Sequence, residues 1–220
     1  MPIEAHIYLP KNEIIYNLKE HRVNVGDGTW LADLNYRTES QLIALNIVPI
    51  TIADIEAYDP DTQYVGSIVI TYDPETDSYN GSYPILDKSA DMLASELVQY
   101  KKSCIATISN EYDNAISNGT SVTCNNETFI MQIQDKDISK VDGVLRFAQM
   151  TGVQTVYLTD INNVNHYNIA IEDAQNVLIQ MFNAALSAHY IKQQKRDAVM
   201  LTTDIKQLKA LMTSLFTSEE

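Results

Sequence analysis

The chain has 220 residues, 45% of them apolar, and a net charge of −14. That length holds one large domain or two small ones, and the apolar content is that of a chain with a core, not of a disordered one. The charge argues against nucleic acid and anionic membrane surfaces as partners, because phosphate binding needs clustered Lys and Arg.

In chain order, Ala5 to Leu9 and Glu13 to Tyr16 are short apolar runs around Pro10-Lys11-Asn12, a hairpin pattern. Val25-Gly26-Asp27-Gly28 reads as a turn before Trp30. A short helix is expected over Arg37 to Leu45, with Thr38 or Ser40 as its cap, and then a strand over Ile47 to Ile52. Tyr64 to Tyr72 and Tyr79 to Ile85 are β-rich runs around Asp73-Pro74-Glu75-Thr76-Asp77-Ser78, with Pro and Asp where turn chemistry wants them. Residues 1–86 hold Lys11, Lys19, Arg22 and Arg37 against thirteen Asp and Glu. This acidic, β-rich stretch is expected to be a domain of its own.

From Asp87 Pro disappears and the apolar spacing turns helical. Ala94, Leu97, Val98, Ile105, Ile108, Tyr112, Ala115 and Ile116 share a drifting face that stops at Asn118-Gly119. Ser121 to Ile133 reads as a hairpin turning at Asn125-Asn126, with Val122, Cys124, Phe129, Met131 and Ile133 on one buried face. Asp137 or Ser139 can cap a helix that runs to about Met150 and closes at Gly152. A second strand pair fits Thr155 to Ile169 around Asn162-Asn163. Helix follows from Ile171, with Ala174, Val177, Leu178, Met181 and Ala185 as apolar positions. Farther on, Ala198, Leu201, Ile205, Leu208, Met212 and Leu215 alternate spacings of three and four, a heptad seam. Such a seam either packs on the Asp87–Asn118 helix of its own chain or joins two chains in a bundle. The expected fold class is α+β: a small β-rich N-terminal domain, then a helix–hairpin–helix–hairpin–helices domain over residues 87–220.

Sites of chemistry are sparse. His6, His21, His166 and His189 lie far apart and in no metal-ligand spacing. Neither a phosphate loop nor a Gly-x-Ser-x-Gly elbow occurs, so neither cofactor nor catalytic residue is expected. The acidic turns Asp59-Pro60-Asp61 and Asp73 to Asp77 could offer oxygen ligands to Ca²⁺, but read better as solvated turns. Trp30, the only tryptophan, reads as a core anchor of the N-terminal domain, or else as a stacking platform for a glycan or a partner. Lys192, Lys195 and Arg196 are expected near a helix end. Cys104 and Cys124, with no CxxC, are expected to be buried free thiols, a disulfide being the alternative. Thirteen tyrosines against four phenylalanines suit shallow sheets and protein interfaces. The start Met-Pro-Ile-Glu-Ala-His has no signal-peptide pattern, and no run nears the ~18 apolar residues of a membrane span, so folding in a cytoplasm is expected.

One resemblance bears on function. A long helix with Tyr100-Lys101-Lys102 is followed by a hairpin ending Phe129-Ile130-Met131-Gln132, then Asp135-Lys136-Asp137-Ile138-Ser139-Lys140. A short helix follows, then Val156-Tyr157-Leu158-Thr159-Asp160, and a helical end opening Ile171-Glu172-Asp173. This order is similar to an uncharacterised domain toward the C-terminus of many bacteriophage tail and tail-fibre-associated proteins. Arg37 to Ile50 resembles a segment that often precedes it, so the likeness spans residues 37–215. Where that pattern carries Trp in the strand before the last helices, this chain has Tyr157. The resemblance implies a structural virion protein of the tail (fibre, baseplate or adaptor region), without catalysis. Its partners would be other tail proteins and further copies of itself, with no nucleic acid and no membrane insertion. It would be made in the host cytoplasm and carried in the virion. A tail-fibre assembly chaperone absent from the particle is the alternative, and a glycan-binding or glycan-cleaving tail protein a third.

Overall fold

Turn chemistry sets the strands in the first half of the computed structural model, which describes residues 3–26 and 28–217. Strands β1 (Ile3–Tyr8) and β2 (Glu13–Ile15) pair antiparallel, His6 opposite Ile15. Between them a 3-10 turn over Leu9–Lys11 ends on Asn12 at φ 51, a left-handed conformation that Asn tolerates. β3 (Val23–Gly26) pairs with β4 (Thr29–Leu31); Asp27 of the expected turn lies outside the described residues. α1 (Glu39–Ala44) starts on Thr38 with a reciprocal cap, as Gln41 N donates to Thr38 Oγ1 and Thr38 N donates to Gln41 Oε1.

β5 (Ile47–Ile52) follows. Each of the two long β-rich runs then divides, into β6 (Gln63–Val65) with β7 (Val69–Asp73), and β8 (Ser78–Ser82) with β9 (Ile85–Asp87). The breaks fall at Gly66 and Pro84, which meet in space: Gly66 N donates to the Pro84 carbonyl at 2.8 Å. The main sheet has the order β2-β1-β5-β8-β7, in which β5 and β8 run parallel, and β6 pairs antiparallel with β9 in a separate ribbon. Alternation along β1 and β5 sends Tyr8 and Ile47 to one apolar cluster and Ala5, Ile7, Ile50 and Ile52 to another on the opposite face.

The second half contains α2 (Ala90–Asn118), the hairpin β10 (Thr120–Cys124) and β11 (Glu127–Met131), and α3 (Asp135–Thr151). The hairpin β12 (Thr155–Thr159) and β13 (Asn165–Ala170), then α4 (Ile171–Leu201) and α5 (Ile205–Thr217), complete it. The chain divides into two compact units, Met1–Ala90 and Asp91–Glu220, and the fold class is α+β. The core of the second unit gathers Val122, Phe129 and Met131 from one hairpin and Leu158 and Ile169 from the other. Val141 and Leu145 of α3 and Val177 and Met181 of α4 close it. Cys104 and Cys124 are free and buried, and burial pushes both thiols above their ordinary range.

Several local expectations are corrected. Trp30 is not a core anchor: it is 59% exposed, because the pleat of the β3–β4 ribbon turns Val23 and Leu31 to the core and the Asn24–Trp30 pair to the other face. On α2 the packed face is Leu97, Tyr100, Cys104 and Ile108, while Ala94, Val98 and Ala115 are exposed. α3 is preceded by Gln134 without a side-chain cap, which puts Asp137 inside the first turn. Lys192, Lys195 and Arg196 lie within α4, not at its end. There Lys195 Nζ donates to Glu111 and sits over the Phe216 ring, and Lys192 lies 4.2 Å above Tyr112. The acidic turns use their own carboxylates: Asp59 Oδ1 accepts from Asp61 N, and Asp73 Oδ1 accepts from Glu75 N.

Two glycines test the backbone. Gly119, at φ +76 between α2 and β10, would place an added Cβ 2.4 Å from the Met131 carbonyl oxygen, whereas Gly152, at φ +74, would meet nothing within 4 Å. Gly152→Ala is therefore expected to cost about 1–2 kcal/mol through φ alone. Gly119→Ala should cost roughly 3 kcal/mol or more, since backbone must also move. Urea denaturation of both variants checks the order.

Candidate functional site

α3 carries two apolar stripes, and only one is used internally. Ile138, Val141, Leu145 and Ala148 face the core, while Val144, Phe147 and Met150 recur every three residues on an exposed flank. Opposite that flank runs β12. Its pairing with β13 contains a bulge in which Tyr167 and Asn168 stand across from the single residue Tyr157, with Asn168 at φ 57. A bulge of this kind re-aims a side chain, and Tyr157 stands exposed beside a cleft of about 820 Å³ between α3 and β12. Val144, Phe147, Val153 and Tyr157 give the cleft an apolar, solvent-facing lining.

Polar groups line it too, among them Gln132, Asp137, Lys140, Thr159 and Asp160. Asp137 is buried, and its Oδ1 accepts from Lys140 Nζ at 3.3 Å, but its buried Oδ2 has no hydrogen-bond partner among the described residues. A buried oxygen of this kind costs about 1–3 kcal/mol unless a donor reaches it. Asp160 is also buried, but satisfied: its Oδ1 accepts from Asn162 N and Val164 N, both at 2.8 Å, which closes the β12–β13 turn. The Val164 amide, helped by His166 and the Asn162 amide, holds its carboxyl below the ordinary range against the opposing effect of burial. His166 stacks on Phe129 at 3.8 Å, with Nε2 3.4 Å from Asp160 and Nδ1 3.5 Å from Glu127.

The residues singled out by sequence are dispersed. Trp30 projects from the β3–β4 ribbon in the first unit. The seam does not form one helix, because Thr202 is extended and Asp204 restarts the chain as α5 by accepting from Gln207 N at 2.9 Å. Leu208 is buried against Cys104, Ile108 and Val199, with Met212 packed on the same cluster. Ala198, Ile205 and Leu215 are half-buried, and Leu201 is 81% exposed at the break. The histidines keep separate neighbours: His21 meets Glu13 and His189 lies edge-on to Tyr112, while burial lowers the pKa of His6. Among the described residues no three His, Cys, Asp or Glu are grouped to hold a metal. Sequence reading missed the cleft because Asp137 looked like a cap. Val144 and Phe147, apolar positions beside the core stripe, were the available signal.

Comparison with protein-family models, with curated proteins and with solved structures gives no match. Among the described residues no helix is long and apolar enough to cross a membrane.

The lowered pKa of Asp160 fixes the sign of a pH effect. Its contribution is complete above the ordinary carboxylate range and is lost as pH falls through the lowered value. Asp160→Asn is therefore expected to lower the urea midpoint at neutral pH, with the gap to wild type closing under acid. A gap independent of pH would contradict this.

Proposed function

We propose that this chain is a non-enzymatic structural protein of a bacteriophage tail, in the fibre, baseplate or adaptor region, and acts by binding other proteins. The cleft between α3 and β12 carries the reading. Apolar walls with solvent-facing aromatics are what a protein-binding surface offers. Tyr157 at its edge stands where the tail-domain pattern carries Trp. The occupant that fits is an apolar segment of a neighbouring tail protein bearing a Lys or Arg, because the buried Asp137 Oδ2 is left without a donor. A cation there would convert a cost of the free chain into specificity.

Particle composition tests the proposal. Mass spectrometry of purified virions is expected to find the wild-type chain. The variant Phe147→Glu, made at a side chain 65% exposed and folded by circular dichroism, should be missing or depleted. Wild type present in infected cells but absent from particles would overturn the structural role in favour of an assembly chaperone. Release of reducing ends from host polysaccharide by the purified chain would overturn the non-enzymatic reading.

Asp137 gives a second test, independent of the particle. Asp137→Ala removes the unpartnered oxygen, but also the Oδ1 pair with Lys140 and a favourable acid in the first helical turn, effects of about 1–3, 0–1 and 0.3–1 kcal/mol of which only the first stabilises the variant. The isolated variant should be as stable as wild type or slightly more so. A loss above roughly 2 kcal/mol would mean that Oδ2 is already satisfied in the free protein.

A further inference from the structure

α4 is apolar on two sides. Its inner side buries Ala174, Val177 and Met181, all fully, in the core of the second unit. At 3.6 residues per turn the opposite side carries Ile179, Phe182, Leu186 and Tyr190, which are 55, 59, 60 and 61% exposed. A helix apolar all round is normally covered all round. These four residues make a stripe along three turns of a helix of 31 residues, about 45 Å long.

We propose that a second copy of this chain covers the stripe, its α4 running antiparallel about a two-fold axis near Ala184. The charge pattern selects a second copy. Residues 174–191 contain no Asp, Glu, Lys or Arg, in a chain whose net charge is −14. Two such chains repel unless they meet on a neutral face. The absence of Lys and Arg within residues 174–191 also disfavours an anionic lipid surface, which amphipathic helices approach through those side chains, since Lys192 and Lys195 just beyond that span are engaged with Tyr112 and Glu111.

Side-chain spacing selects the orientation. Reflected about Ala184, Phe182 comes opposite Leu186 of the other copy, and Ile179 opposite His189, one residue from Tyr190. Gln175 meets Gln193 at either end. Phe182 thus faces an aliphatic side chain and each amide an amide, the self-complementarity that a two-fold interface requires. The antiparallel arrangement also brings the exposed Glu172 toward the exposed Arg196 of the second copy, where a parallel one would set Glu172 on Glu172. This stripe is separate from the α3–β12 cleft and from the seam of α4 and α5, and the inference does not depend on the tail reading.

Sedimentation equilibrium on the full chain, across a concentration series, tests it. Wild type should dimerise. Leu186→Glu should raise the dissociation constant roughly thirtyfold or more, the effect of losing a central contact, with an unchanged circular dichroism spectrum. A wild type monomeric at every concentration, or a dimer indifferent to Leu186→Glu, would overturn the proposal. Orientation is read by oxidising an equimolar mixture of the variants Ile179→Cys and Tyr190→Cys, since both native thiols are buried. A mixed disulfide between the two variants is expected; disulfides only between identical variants would overturn the antiparallel arrangement.

Discussion

Burial of the inner side of α4 is the constraint on which the second unit depends. Two-stranded ribbons are marginal in water until they find an apolar partner, and β10–β11 and β12–β13 are both such ribbons. Val177 and Met181 pack in one cluster with Val122, Phe129 and Met131 from one hairpin and Leu158 and Ile169 from the other. Gln180 fastens the first hairpin in place, its side chain accepting from Thr123 N and donating to Thr123 O. Taking roughly 1.5–3 kcal/mol for each fully buried aliphatic side chain, these inner residues of α4 outweigh any surface ion pair in the chain.

The same arrangement leaves two apolar surfaces open. α3 meets the core through one stripe, so Val144, Phe147 and Met150 fall outside it; α4 meets the core through one side, so Ile179 to Tyr190 fall outside as well. Solvent-facing apolar side chains are ordinary when scattered. Here they follow helical spacing and, at α3, border a buried carboxylate oxygen that lacks a donor. Ordered apolar stripes of that kind are what protein contacts use.

Much of the local structure was legible in the sequence because it rests on local chemistry. Pro10-Lys11-Asn12, the Asp73–Ser78 turn and Asn125-Asn126 each announced a hairpin, and Asn118-Gly119 and Gly152 each announced a helix end. What was hidden depends on contacts distant in sequence. The parallel pairing of β5 with β8 and the ribbon of β6 with β9 have no local signal, so two broken runs looked like two long strands. Trp30 looked like a core anchor because nothing near it tells which face of its ribbon is covered. The α4–α5 seam kept its spacing across Thr202 and Asp204, where the backbone leaves the helix, so apolar periodicity alone could not reveal the break. The cleft stayed invisible because its polar group, Asp137, sits where a helix-capping acid would also sit.

The most direct measurement is covalent footprinting of side chains, comparing the dilute isolated chain with the chain in its assembled state. Phe147 and Tyr157 report on the cleft, and Phe182 and Tyr190 on the α4 stripe. The expected result is strong labelling of all four in the isolated chain and loss of labelling at both surfaces on assembly. The exposed Trp30 and Tyr36 supply internal references for labelling efficiency. Labelling of the four aromatics that stays the same in the assembled state would contradict the claim that these two surfaces exist to be covered by other chains.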